Sequence, residues 1–200
     1  SYLYRLFDKA HEKGIRVLLD LVPGHTSEEH PWFVESQKAE KNEYSDRFIW
    51  TDFCFHGANG LPYVGGESER SGCYILNFFK CQPALNYGFY KVTEPWQKSM
   101  RDPAAIATRE ALKDIMRFWL SHGCDGFHVD MASSLVKHDD EKKSGTSAIW
   151  RDVRRMLDLE FPDAAMVAEW SNPSLSLRAG YDADFVLNEF GSGYSTLMRR

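Results

Sequence analysis

The chain has 200 residues, 43% of them apolar and 26% charged, with a formal net charge of −5. That composition suits a globular protein with a buried core and argues against a disordered or fibrous chain. Lysines and arginines are scattered among more numerous acids, so nothing predicts a nucleic-acid or anionic-membrane partner.

No apolar run approaches the ~18 residues that span a bilayer. The opening SYLYRLFDKAHEKG reads as a helix over 1–13, not a signal peptide, with Tyr2, Leu3, Leu6, Phe7 and Ala10 on one face. A start inside a helix, without Met, predicts that the protein begins upstream; the compartment stays unknown, with the cytoplasm slightly favoured. A strand over 15–20 (IRVLLD) ends in Asp20 and leads through Pro23 and Gly24 to His25. About seventy irregular residues follow, far beyond ordinary loop lengths, which predicts a small inserted domain.

A helix from about 102 to 122 has Asp102 as N-cap, Pro103 at its first position, an apolar stripe of Leu112, Ile115, Met116, Trp119 and Leu120, and Gly123 beyond its end. Then come a strand over 125–130 ending in Asp130, a helix near 147–160, a strand over 164–169 ending in Glu169, a short helix near 173–180 and a strand over 184–189. The strands are continuous apolar runs, the pattern of parallel strands covered on both faces. A doubly wound sheet and a barrel both fit. In a barrel the alternation points His128 and Asp130 inward and Phe127 and Val129 outward.

Sites in parallel α/β folds are built at the carboxyl ends of strands, so Asp20, Asp130 and Glu169 delivered there predict one acid/base centre. Each acid alone reads equally as a helix cap or loop acceptor, Asp20 and His25 as part of an Asx-type turn, and His128 as a satisfied interior histidine. Cys54, Cys73 and Cys81 match no familiar zinc spacing and read as free thiols, and Cys124 as packing. Eleven aromatics crowd the insertion (Trp32, Phe33, Phe48, Trp50, Phe53, Phe55, Tyr63, Tyr74, Phe78, Phe79, Tyr87), with about three quarters of them expected in its core. His138 to Lys143 (HDDEKK) reads as a solvated loop, and Glu189 as a loop acid at the end of the last strand.

HEKGIRVLLDLVPGHTSEEHPWF, QPALNY, GFHVD and MVAEW resemble, in this order, conserved regions of the α-amylase superfamily, glycoside hydrolase family thirteen. The QPALN form looks more like its oligo-1,6-glucosidase branch than the long-chain amylases. The resemblance implies an α/β fold, part of a (β/α)8 TIM barrel from the second helix through the sixth strand, with barrel segments 1–26 and 91–200 and an inserted domain at 27–90 after strand three. It implies Asp130 as nucleophile and Glu169 as general acid/base, and a substrate subsite lined by Asp20 and His25. His128 and Trp170 are added to that subsite, Trp170 as an apolar wall beside Glu169. The substrate would be an α-glucan or short α-glucoside. A retaining glycosidase needs such a pair: one ionised carboxylate to attack the anomeric carbon and one protonated carboxyl to release the leaving oxygen, ~5–5.5 Å apart.

Three departures from the family pattern stand out. His128 occupies the place of an arginine, and an imidazole lacks the bidentate fork that holds carboxylates. Gly24 replaces an asparagine whose oxygen helps bind calcium in many relatives, so neither calcium nor any other cofactor is expected. The family's third acid, after strand seven, would lie beyond Arg200, so a chain ending there is expected to be inactive. Two other readings stay open: a sugar-binding or partner protein that keeps the fold without activity, and a metal-dependent barrel enzyme with Asp20, Asp130 and Glu169 as ligands.

Overall fold

The computed structural model describes residues 2–185. In chain order its elements are α1 (Tyr2–His11), β1 (Leu18–Leu21), α2 (Pro31–Ser36), β2 (Tyr63–Gly65), β3 (Cys73–Ile75), α3 (Pro103–Ser121), β4 (Gly126–Val129), α4 (Ser144–Glu160), β5 (Ala165–Glu169), α5 (Pro173–Ala179) and β6 (Ala183–Phe185). They fall into two compact units: residues 2–22, 111–133 and 142–185 in one, Pro23–Glu110 with Ser134–Glu141 in the other. The insertion expected over 27–90 lies inside the second unit, which also takes in flanking chain and a return segment. Helix α4 starts three residues earlier than the periodicity predicts, at Ser144. Most of the strand expected over 184–189, Glu189 included, lies outside the described residues.

The first unit is built on a parallel sheet in the order β1-β4-β5-β6, each strand reached by a helical crossover, and forms an arc of a (β/α)8 barrel. Phe127, Val129, Met166 and Ala168 are buried, as are Met116, Trp150, Val153 and Leu157 of the helices. Each large side chain so buried contributes roughly 1.5–3 kcal/mol. Asp102 caps α3 as expected, its carboxylate accepting from the N–H of Ala104 at 3.0 Å. On that helix Leu112, Met116 and Leu120, four residues apart, are buried, whereas Ile115 is exposed, because the buried stripe is narrower than the apolar pattern.

Two residues fix how β4 enters the sheet. Gly126 has φ +148, and a Cβ there would stand 2.0 Å from the carbonyl oxygen of Ala165, so only glycine lets β4 approach β5 this closely. Beside it Asp125, buried, accepts from the Val17 N–H and Arg16 Nη1 at 2.8 Å and pairs with His11 Nε2 at 2.7 Å. Burial by itself would raise the Asp125 carboxyl, but these donors outweigh it and hold the group below its ordinary value. The strand predicted from residue 125 therefore begins one residue later, with Asp125 tying the end of α1 and the start of β1 to it.

The second unit holds the antiparallel β2–β3 pair and a core of Ile49, Ala58, Ile75, Ala84 and Phe89. Phe33 packs against Phe48, Trp50 and Tyr74 at centroid distances of 4.9–6.0 Å, and Arg70 covers the Trp50 ring at 4.5 Å. Fewer insertion aromatics serve the core than expected: Phe33, Phe48, Trp50, Tyr74 and Tyr87 are buried, but Phe53, Phe55, Tyr63, Phe78 and Phe79 are exposed. The run from His138 is not fully solvated either, since His138 packs edge-on against Phe89 at 5.3 Å. All four cysteines are free, and among the described residues no helix is long and apolar enough to cross a membrane.

Candidate active site

The register of the parallel sheet puts chemistry on one face. Asp20 of β1 is level with His128 of β4, and His128 with Val167 of β5; two residues further along β5, Glu169 is level with Phe185 of β6. Asp130 directly follows β4, its N–H donating to the Leu21 carbonyl at 2.9 Å, so it continues the alternation that carries His128. His128 Nδ1 meets Asp20 Oδ1 at 2.7 Å, and the imidazole stacks on Phe185 at 5.0 Å. Its Nε2 is buried with no hydrogen-bond partner among the described residues.

Glu169 is the perturbed group of this cluster. Its carboxyl is raised above its ordinary value, first by burial, then by the charge of Asp130, with Asp20 adding to the effect, His128 opposing it and a hydrogen bond with the Asp130 side chain contributing. Two carboxyls that share a hydrogen bond cannot both ionise freely. A carboxyl raised in this way beside a second carboxyl is the arrangement that a paired acid and nucleophile require.

Trp170 is not brought to this cluster. It is 9% exposed and packs edge-on to Tyr181 at 6.2 Å, and Tyr181 in turn packs on fully buried Trp150 of α4. The wall beside the acids comes instead from Phe185, stacked on His128. The segment after Glu169 is held by a residue the sequence reading passed over. Asp184 accepts from the N–H groups of Trp170 (3.1 Å), Ser171 (3.2 Å) and Asn172 (2.9 Å), and from Ser176 Oγ (2.9 Å). Ser171 has a left-handed φ of +58 within this turn. An acid in the next strand, twelve to fourteen residues away, thus fixes the end of the strand that carries Glu169.

His25 belongs to the second unit, where its Nδ1 lies 3.2 Å from Asn77 Nδ2. Asn77 Oδ1 accepts from Lys137 Nζ at 3.1 Å, and the same ammonium donates to the Ser134 carbonyl. A Cβ on Gly24 would stand 2.8 Å from Asn77 Nδ2, so any side chain there displaces this carboxamide. Calcium is held by six to eight oxygens. Gly24 offers no side-chain oxygen, and the nearest carboxamide oxygen already faces an ammonium, so these residues do not fit that ion. Among the described residues no group of three His, Cys, Asp or Glu side chains has the arrangement of a metal site.

Glu169 at the end of β5, its carboxyl raised by burial and by the charge of Asp130 after β4, lies at the carboxyl ends of the parallel strands, where barrel enzymes build their sites. The family described as "Alpha amylase, catalytic domain" matches residues 2–188, and the chain belongs to it. It is 35% identical over 175 residues to the trehalose synthase/amylase TreS of Mycobacterium tuberculosis, covering 82% of this chain and 26% of that protein. It is 37% identical over 141 residues to an oligo-1,6-glucosidase of Heyndrickxia coagulans (66% and 22% covered) and 36% identical over 165 residues to the amino acid transporter heavy chain SLC3A1 of Rattus norvegicus (74% and 21%). The chain spans about a quarter of the length of these curated relatives. In fold it matches the trehalulose synthase MutB of Pseudomonas mesoacidophila MX-45, with a TM-score of 0.72 at 19% identity over 93% of this chain and 36% of that one.

Proposed function

We propose that the protein carrying this chain cleaves or transfers α-glucosyl groups with retention of configuration, on short α-glucosides or α-glucans. The Asp130 carboxylate attacks the anomeric carbon while the glycosidic C–O bond breaks, and Glu169 passes its proton to the departing oxygen. Glu169, now ionised, then takes a proton from water or from a second sugar's hydroxyl, whose oxygen displaces Asp130 from the anomeric carbon. Asp20 and His128 serve as substrate-binding residues, and Trp170 is left to the core. Calcium has no part in this reading, the Lys137 ammonium supplying positive charge beside Asn77. The carrying observation is the Glu169 carboxyl, raised by burial and by the charge of Asp130. The relatives named as a trehalose synthase and an oligo-1,6-glucosidase support the substrate class.

A second reading, a partner protein without turnover, draws on His128 in the arginine position and on the likeness to a transporter heavy chain. One comparison separates the two: the intact protein carrying this chain, and its Asp130→Asn variant, incubated with p-nitrophenyl α-glucoside, maltose and trehalose. Release or transfer of glucose by the wild type alone supports the enzyme, and inactivity of both across the panel supports the partner protein.

A further inference from the structure

The second unit brings two cysteines together. Cys73 lies in β3 with no exposed surface, held by its own N–H on Thr51 Oγ1 at 2.9 Å and by the Thr51 N–H on its carbonyl at 2.8 Å. Cys54 comes three residues after Thr51 and is half-buried, in a turn where the His56 N–H donates to the Phe53 carbonyl at 3.1 Å. Although the two cysteines are 19 residues apart in the chain, the Cys73 thiol donates to the Cys54 carbonyl oxygen at 3.4 Å.

Gly65 makes the space in which they meet. It stands opposite Cys73 in the β2–β3 pair, and a Cβ on it would lie 2.6 Å from Cys73 Sγ and 3.9 Å from Cys54 Cβ. The place of a side chain at residue 65 is thus taken by the sulfur of one cysteine and bordered by the side chain of the other. Burial pushes the Cys73 thiol up, a hydrogen bond with Thr51 works against that, and the charge of the Cys54 thiolate adds to the rise, an effect that needs the two groups close in space.

We propose that Cys54 and Cys73 are a dithiol that closes to an intramolecular disulfide on meeting a small-molecule disulfide such as oxidised glutathione. Access sets the order of events. Cys73 is out of reach of an external disulfide, whereas Cys54 presents part of its surface to solvent. The Cys54 thiolate attacks one sulfur of the oxidant, breaking its S–S bond and expelling one glutathione thiolate, and a mixed disulfide remains on Cys54. Cys73 then loses its proton and attacks the Cys54 sulfur, expelling the second glutathione. Two cysteine thiols are oxidised by two electrons, the oxidant is reduced to two thiols, and the two protons released by the cysteines end on the two glutathiones. A disulfide asks for Cβ atoms about 3.5–4.5 Å apart, an approach completed by adjustment of the Cys54 turn, since Cys73 is the partner fixed in a strand. The closed form ties that turn to β3, and with it Phe55 and His56, which line a cavity of about 560 Å³ in the same unit.

The test needs no turnover. The intact protein is reduced, freed of reductant, incubated with oxidised glutathione, and digested with trypsin without reduction for mass spectrometry. Cys54 falls in peptide 48–70, Cys73 in 71–80 and Cys81 in 81–91, so each possible bridge gives a different linked pair. The expected result is the pair 48–70 with 71–80, two hydrogens lighter than the separate peptides and separated again by dithiothreitol. In Cys73→Ala, Cys54 should retain one glutathione. In Cys54→Ser, a half-buried position that keeps the fold, the Cys73 peptide should stay unmodified. A wild type that keeps glutathione on Cys54 without forming the pair, a bridge from either cysteine to Cys81, or recovery of both peptides as free thiols overturns the proposal.

Discussion

Asp184→Ala tests whether a remote acid positions Glu169. The aspartate accepts from three successive backbone N–H groups and from the Ser176 hydroxyl, at 2.9–3.2 Å. Hydrogen bonds to charged acceptors contribute about 1.5–3 kcal/mol each when buried. Here the carboxylate is only half-buried and water takes over part of the task, so about 1 kcal/mol per backbone donor is the reasonable figure. The variant should therefore lose roughly 3 kcal/mol of stability, read as a lowered urea midpoint with an unchanged slope. The released turn begins at Trp170, next to Glu169, and misplacing a catalytic group by about 1 Å costs on the order of a hundredfold. The intact enzyme should accordingly show a kcat on maltose lowered about a hundredfold with a smaller change in KM, and Asp184→Asn, which keeps one acceptor oxygen, should recover part of it. A variant that unfolds within about 0.5 kcal/mol of the wild type and keeps its kcat would refute the reasoning.

Glu169→Gln should lower kcat on maltose by about 10² to 10⁴, and less on p-nitrophenyl α-glucoside, whose leaving group departs without a proton; equal losses on both substrates count against Glu169 as the acid. In wild-type pH profiles of kcat/KM, the raised Glu169 carboxyl stays protonated to higher pH than an ordinary glutamate, so the alkaline limb should lie above the ordinary carboxylate range. His128→Arg should raise kcat by about tenfold, since a fixed guanidinium hydrogen-bonds and orients a carboxylate better than an imidazole does; an unchanged or lower rate opposes that role. Asp125 is lowered in the folded state, so its contribution is complete above its unfolded pKa of ~3.9 and is lost as pH falls through the folded value. Urea midpoints of Asp125→Asn should lie well below wild type at neutral pH and converge on it below about pH 4, and a gap that persists in acid argues that shape, not charge, is what Asp125 supplies.

The amino-acid order determined the helices, the strands and the acids at their ends, because a buried strand declares itself by a short apolar run and a helix by its period and caps. Asp130 and Glu169 were legible on that basis, each closing such a run. The family motifs extended the reading to the barrel, which local periodicity alone left undecided against a doubly wound sheet.

What the order of residues did not contain is which side chains meet across elements. Asp184 was invisible because its partners are backbone N–H groups of another segment, and backbone donors carry no residue-specific signal. Trp170 packs on Tyr181, a contact between segments that no local pattern announces. The exposed aromatics of the insertion look identical in sequence to the buried ones, and only the contacts of Phe33 and its neighbours separate them. Likewise the raised Glu169 carboxyl depends on burial and on Asp130, which follows a different strand. Both are properties of distances through space, and those exist only once the sheet has set its register.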